Sequence, residues 1–305
     1  MRVIQYRILG LLNTVPIPDY IYGFEMGKSI PQMASLHVGQ RVVISLDIKD
    51  YFGSIKQYRV MELFKALGMS GEVAKICSEL CTYKAFVPQG ALTSPKISNL
   101  ITAGTFGKEL EAYCKEAGLT LTVYADDITV SYGDELTFPT RLDERNFQHG
   151  VIATISSLVK LAGFRINREK TKIMAPGRRK WVCGAVVNER VNMLRKERNN
   201  LRAIVHNCTK NGITAEAAKA GMQTLDFVRK YSGRLNWLSQ LNEEKGKALW
   251  KQFKELARPL TKLYPDFHIE KWAYDSGQED PGPVEEGKLE ASTPTVVADK
   301  DPFSA

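Results

Sequence analysis

A chain of 305 residues, 44% of them apolar and 25% charged, is long enough to bury a sizeable core as one large domain or two medium ones. No apolar run approaches the roughly 18 residues of a membrane helix, Gln5 and Arg7 interrupt the apolar start, and five cysteines without a CxxC pair suit neither a disulfide framework nor a zinc ribbon. These features argue against a membrane span and a secretory signal, and they predict a reducing, cytoplasmic setting. The net charge of +8 hides an asymmetry. Asp275 to Ala305 carry eight acidic and two basic residues, −6, which leaves 40 basic and 26 acidic residues, +14, upstream. A body that basic favours a polyanionic partner such as nucleic acid.

In chain order, Arg41-Val-Val-Ile-Ser-Leu-Asp-Ile48 reads as a buried strand, and Val60 to Leu67 opens a helical stretch. Cys77 and Cys81, four apart on a predicted helix, read as reduced core residues. Next comes a breaker, Pro88-Gln-Gly-Ala-Leu-Thr-Ser-Pro-Lys-Ile-Ser-Asn-Leu100, with Ser94 suited to the N-cap and Pro95 to the first helical position. Ile97, Leu100, Ile101, Phe106 and Leu110 then mark one face of a helix running toward Gly118. Leu119, Leu121 and Val123 alternate with polar residues, as do Ile128, Val130 and Tyr132, which predicts a hairpin with Ala125-Asp126-Asp127 as its bend. A second amphipathic helix, Asn146 to Leu161, stops at Gly163, and Phe164-Arg-Ile-Asn167 follows as a short strand. From Asn192 the pattern is helical and basic, with Tyr231, Trp237 and Trp250, a composition suited to a helical subdomain that touches nucleic acid. Asp275 to Ala305, rich in Pro, Gly, Glu and Ser, reads as a disordered acidic tail.

The chemistry concentrates in acids. Two adjacent carboxylates repel, and leaving both ionised at low dielectric is costly unless a cation compensates. A hard oxygen pair on a turn suits Mg²⁺, which takes one or two carboxylates, several waters and substrate phosphates. Asp47, ending an apolar strand, is a third acid that packing does not explain. Asp47 and Asp126 as shared ligands, with Asp127 in support, suit two Mg²⁺ ions and nucleotidyl transfer. Taken alone, Asp126-Asp127 also reads as a solvated hairpin turn.

Four stretches in order carry a resemblance: "DIKDYF" after the apolar strand, "PQGALTSPKISNL", "YADD" in the hairpin and "GFRINREKT". From about Ile8 to Gly184 they resemble the palm motifs of reverse transcriptases, most of all the bacterial retron type, with other defence-associated and group II intron enzymes as close relatives. The resemblance implies an α+β right-hand fold: fingers and palm over residues 1–191, a palm with an antiparallel sheet, and a helical, RNA-binding thumb over 192–274. It implies Asp47, Asp126 and Asp127 as metal-binding aspartates, with Ile48 lending a carbonyl to the metal. Asp50, Tyr51 and Phe52 would meet the incoming deoxynucleoside triphosphate through backbone amides, Phe52 also filling the space of a ribose 2′ hydroxyl; Phe52 reads equally as a core aromatic. Gln89 and Gly90 would lie near nucleotide and template, and Lys170 would protonate the leaving pyrophosphate.

Two shorter matches point to the retron branch and its RNA. Met33-Ala-Ser-Leu-His37 resembles an Asn-Ala-x-x-His pattern with Met33 replacing Asn, and Val182-Cys183-Gly184 resembles Val-Thr-Gly with Cys183 replacing Thr. His37 reads equally as a satisfied buried histidine. The implied partners are a structured RNA serving as template and primer, the RNA–DNA product, and an effector protein encoded nearby in antiviral defence. The family's basic fingers hairpin reads as truncated: 46 residues precede Asp47, with Arg2, Arg7, Lys28 and Arg41 as their basic side chains.

Overall fold

Strand β1 (Val42–Ile48) is buried at every position but Ser45, as a strand flanked on both sides must be. The computed structural model describes residues 2–260; the acidic tail, and residues 261–274 of the expected helical subdomain, lie outside them. By contact the chain divides into two units, Met1–Asn192 and Met193–Ala305.

In the first unit, β2 (Thr120–Tyr124), β3 (Asp127–Tyr132) and β4 (Ile166–Met174) join β1 in an antiparallel sheet of order β2-β3-β1-β4. Period-2 alternation gives the sheet two unlike faces. Val42, Ile44, Leu46 and Ile48, with Ile128, Val130 and Tyr132, enter the hydrophobic core together with residues of the helices. Those helices are α1 (Arg2–Leu12), α2 (Ile30–Ser35), α3 (Tyr51–Ser54), α4 (Gln57–Ala66), α5 (Gly71–Cys81), α6 (Ser94–Thr102), α7 (Lys108–Glu116) and α8 (Arg141–Leu161). On the opposite face the register aligns Asp47 with Asp127 and Ser45 with Thr129, a row of polar groups ending in acids.

Several elements differ from the sequence-based expectation. Tyr124 pairs with Asp127, so the bend is two residues, Ala125-Asp126, and Asp127 belongs to the strand. Positive φ falls on the first central residue only, Ala125 at 52°, the pattern of a type II′ turn, a position glycine normally fills. Thr93, not Ser94, occupies the N-cap of α6; the Ser94 hydroxyl donates to the Pro88 carbonyl at 2.6 Å instead. Helix α6 continues into α7 through a π-helical segment, Ala103–Gly107, whose wider turn brings Phe106 back to the buried face five residues after Ile101. Helix α8 begins five residues before Asn146 because Thr140 and Asp143 form a capping box. Strand β4 runs nine residues where four were expected. Cys81 is buried and free, as read from the sequence, while Cys77 is only half-buried.

A small hairpin, β5 (Trp181–Val182) with β6 (Ala185–Val186), turns on Cys183 and Gly184, both at positive φ as a type I′ turn requires. The second unit contains α9 (Arg195–Asn211), α10 (Ile213–Lys219), α11 (Thr224–Leu241) and α12 (Glu243–Ala257). Gly246 lets α12 lie against α11: a Cβ there would stand 2.5 Å from the Ser239 amide nitrogen. Tyr231 and Trp250 are buried among the core residues of this unit and Trp237 is half-buried. No described helix is long and apolar enough to cross a membrane.

Candidate active site on the acidic face of the sheet

The ladder itself assembles the acids. Asp47 pairs with Asp127 across β1 and β3, and directly opposed residues of an antiparallel pair project to one face. The Ile48 amide donates to the Asp126 carbonyl at 2.8 Å, fixing the turn against the end of β1. Behind the turn Gly23 approaches so closely that a Cβ would sit 2.7 Å from the Ala125 amide nitrogen.

A cation completes the group. Lys170 Nζ lies 2.8 Å from Asp47 Oδ2. The strand is not regular there: β4 holds one register from Val43↔Met174 to Ser45↔Lys172 and another from Asp47↔Asn167. The irregularity gives β4 extra residues between the two registers, and Lys170 sits among them, re-aimed toward the acid as bulges commonly do near active sites.

The electrostatics follow from crowding. Burial, then the charges of Asp126 and Asp47, push the Asp127 carboxyl up to about 6. Asp126 is also raised, chiefly by burial, with the Asp47 charge adding to it and its own backbone amide and Lys170 opposing. Its hydrogen bond to Asp47 draws the Lys170 ammonium upward. On the other flank the Cys183 thiol lies 3.9 Å from Asp127 Oδ2, its pKa pushed up to about 12 by burial first and by that carboxylate second.

Among the described residues no three or more His, Cys, Asp or Glu side chains form a ready coordination sphere. Asp47 and Asp126 interact directly, while Asp127 lies beside Cys183. This donor chemistry fits a hard divalent cation that needs only one or two carboxylates from the protein and takes its remaining oxygens from water and substrate. The mutual repulsion of the acids is the physical reason to expect one.

Around this centre, Asp50 adopts left-handed backbone (φ 47°) at the start of α3 and is exposed. Tyr51 is buried, its hydroxyl donating to the Ser98 carbonyl at 2.9 Å and bonded to Thr102 Oγ1 at 2.6 Å, so only its backbone is free for a ligand. Phe52 is half-buried against the Tyr51 ring at 5.4 Å. Gln89 and Gly90 are exposed, with Gly90 at φ 89°. Sequence reasoning missed what ties helix α6, which follows this loop, to the Gly23–Glu25 segment: Lys96 Nζ meets Glu25 Oε2 at 2.9 Å, and Asn99 Nδ2 donates to the Gly23 carbonyl at 2.6 Å and to Glu25 Oε1 at 2.8 Å. The polar residues of "SPKISN" were its visible signal.

The family profile described as reverse transcriptase (RNA-dependent DNA polymerase) matches residues 1–226. The chain belongs to the reverse transcriptase family. It is 33% identical over 255 residues to the Retron Mx65 reverse transcriptase of Myxococcus xanthus, covering 77% of this chain and 56% of that protein. Identity is 29% over 253 residues to the Retron Ec86 reverse transcriptase of Escherichia coli, covering 81% of this chain and 75% of that one. The chain thus spans just over half the length of the first relative. Among solved structures, telomerase from Candida tropicalis in complex with a telomeric RNA fragment aligns at TM-score 0.47 and 14% identity, covering 85% of this chain and 47% of that one.

For this reverse transcriptase family member, the four-stranded sheet is the palm-like element, and family members use divalent metal ions. One residue expected to touch RNA, His37, is placed otherwise. His37 is wholly buried on the polar face, Nδ1 2.6 Å from Ser131 Oγ and Nε2 2.8 Å from Thr122 Oγ1, which leaves neither ring nitrogen for RNA. Burial holds its pKa down to about 4, so it is neutral and ties β2 to β3. The Val182 side chain is buried, and Cys183 lies at the acids. Gly184 completes the turn. Of the basic residues ahead of β1, Arg41 is bound to Glu144 at 2.9 Å and Asp134 at 3.0 Å, and Lys28 donates to the carbonyls of Pro18, Asp19 and Ile21. Those two side chains hold the fold together and do not form a clamp.

Proposed function

We propose that this chain extends DNA on an RNA template, adding deoxynucleotides to a 3′ end, and that it is a retron-type reverse transcriptase. The observation that carries the reading is the pairing of Asp47 with Asp127 beside the Asp126 turn, with Lys170 bonded to Asp47. Asp47 and Asp126, with Asp127 in support and the Ile48 carbonyl adjacent, are the groups to hold two Mg²⁺ ions. When bound, such ions lower the pKa of an attacking hydroxyl and offset charge on the triphosphate.

The chain's own side chains supply the rest. Lys170, drawn to Asp47 in the resting site, is placed to turn to the substrate and give its proton to the leaving pyrophosphate. The backbone around Asp50 and Tyr51 receives the triphosphate, while Phe52 excludes a 2′ hydroxyl by filling its space. Gln89 and Gly90 face nucleotide and template. The first unit serves as fingers and palm and the helical unit as an RNA-binding thumb. The RNA is a structured one that acts as template and, through a 2′ hydroxyl, as primer; the hybrid stays bound and works with an effector protein in antiviral defence.

Primer extension on a primed RNA with Mg²⁺ tests this. The wild-type chain should incorporate deoxynucleotides, and Asp126→Ala with Asp127→Ala should abolish synthesis while keeping RNA binding. Absence of Mg²⁺-dependent incorporation by the wild type would leave an RNA-binding protein that retains the palm without polymerising.

A further inference from the structure

Three polar side chains lie behind the Ala125-Asp126 turn and take no part in the chemistry proposed above. Lys96 and Asn99, three residues apart on α6 and therefore on one face, are 6% and 1% exposed. Both reach residues 23–25. Lys96 Nζ bonds to Glu25 Oε2, while Asn99 Nδ2 donates to Glu25 Oε1 and to the Gly23 carbonyl, so each oxygen of the Glu25 carboxylate takes a donor from α6.

A buried ion pair adds little to stability, because stripping water from both ions offsets their attraction and apolar residues of similar size often do as well. What a fully satisfied polar cluster does supply is a fixed geometry. Its base here is firm. Helix α6 is buried at every position from Lys96 to Thr102, the Ser94 hydroxyl donates to the Pro88 carbonyl, and the Tyr51 hydroxyl donates to the Ser98 carbonyl.

The other end of this brace is the turn. A Cβ on Gly23 would stand 2.7 Å from the Ala125 amide nitrogen and 3.2 Å from the Tyr124 carbonyl carbon, so backbone lies directly on backbone. The Tyr22 amide donates to the Val123 carbonyl at 2.8 Å and the Val123 amide to the Tyr20 carbonyl at 2.7 Å, which ties the same stretch of chain to the end of β2. The Phe24 ring lies 5.7 Å from that of Tyr124. Phe24 and Ala125 both take left-handed backbone without being glycine, at φ 61° and 52°. Such conformations persist where the surroundings over-determine them. For Ala125 those surroundings are the Gly23 backbone on one side and the Ile48 amide, bonded to the Asp126 carbonyl, on the other.

We infer that Glu25, Lys96 and Asn99 are positioning residues that hold the Ala125-Asp126 turn in its strained form, and so hold Asp126 and Asp127 where synthesis needs them relative to Asp47. The consequence for synthesis rests on the polymerase reading above; the brace itself is tested without metal or substrate.

The deciding variant is the full chain carrying Glu25→Met with Lys96→Met, which replaces the pair by apolar side chains of similar length. It should melt no lower than the wild type and bind a fluorescein-labelled RNA stem-loop equally well by fluorescence anisotropy. In EDTA, native-state hydrogen exchange resolved to single amides should quicken at least about tenfold at Tyr22, Val123 and Ile48, whose bonds frame the turn, and stay unchanged at Val43 and Ile44 within β1. With Mg²⁺, a primed RNA and saturating deoxynucleotide, extension should slow about ten- to a hundredfold, the cost of a small misplacement at the reacting centre. Glu25→Gln with Lys96→Gln keeps a hydrogen-bonded bridge without charge and should bring exchange and extension to within about threefold of the wild type.

Unchanged exchange at the three amides would overturn the inference, as would full extension by the methionine pair in a chain whose wild type extends. Faster exchange throughout the sheet would overturn it in favour of a general contribution to stability. Failure of the glutamine pair to restore exchange and extension would overturn it in favour of a role for the charges themselves. Should the methionine pair melt below the assay temperature, Gly23→Ala decides, because its methyl group presses on the Ala125 amide without touching the ion pair. The same local quickening and slowing are then expected, and wild-type behaviour overturns the inference. If the wild-type chain extends no primer while exchange quickens locally in the methionine pair, the brace stands and the polymerase reading falls.

Discussion

The two units of this chain manage charge in opposite ways. On the palm-like sheet, acids are crowded on a rigid ladder, and their burial, with their mutual repulsion added, raises the pKa values of Asp126 and Asp127. On the helical unit, cations line an open groove, and the exposed arginines among them can move apart in water at little cost. A rigid site whose charges oppose one another is a site built for something that arrives, and removing its charge should raise stability while destroying function. A flexible basic groove should show no such trade.

The strongest way to break this comparison is Asp126→Asn with Asp127→Asn. Primer extension should fall about 10⁴-fold, several kcal/mol of lost transition-state stabilisation. Thermal unfolding should rise, not fall. A carboxyl raised to about 6 in the fold favours the protonated form, so its stabilising contribution is complete below the unfolded value of 3.8 and is lost as pH climbs through 6. At neutral pH the ionised Asp127 is thus a net cost, of order 1–3 kcal/mol, that asparagine removes. A lowered melting temperature would contradict the account of a strained acid cluster.

Lys170→Met should lower the extension rate about 100-fold, the lower range for a proton donor, with RNA affinity unchanged in the same anisotropy assay. His37 sharpens the comparison from the other direction. Its pKa is depressed to about 4, so its contribution is full above the unfolded value near 6.5 and is lost as pH falls toward 4, up to about 3 kcal/mol. Urea midpoints at pH 7 and pH 5 in the Asp127→Asn background isolate it, and His37→Gln should flatten that dependence. Gly246→Ala should destabilise the helical unit by about 1–3 kcal/mol through overpacking against Ser239, read by thermal unfolding. The smallest effect belongs to Cys183→Ser, which keeps a donor beside Asp127 and should alter extension less than about tenfold.

Much of this was legible in the sequence, for local reasons. An acid closing an apolar strand and a pair of acids between alternating runs announce themselves, and the ladder that joins them is ordinary β pairing. Lys170 could be picked out only by resemblance, since a shift of register between β1 and β4 delivers it and no local pattern encodes that shift. The hydroxyls that hold His37, Ser131 and Thr122, lie 94 and 85 residues away in sequence. Other signals were present and went unused. Thr140-Arg-Leu-Asp143 is a capping box by spacing, and the five-residue step from Ile101 to Phe106 does not fit a regular α-helix. In α11, Phe227, Tyr231, Leu235 and Leu238 are spaced as a core stripe, which basic composition obscured.

Strand β4 ends the sheet on one side, and Arg168, Glu169, Lys170 and Lys172 stand exposed along it. A border strand studded with charge refuses foreign strands, and so guards the protein from self-association. The same border hands Asp47 its lysine. Neutralising this row to simplify the surface would therefore strip two safeguards at once, leaving a stickier molecule with an unattended acid.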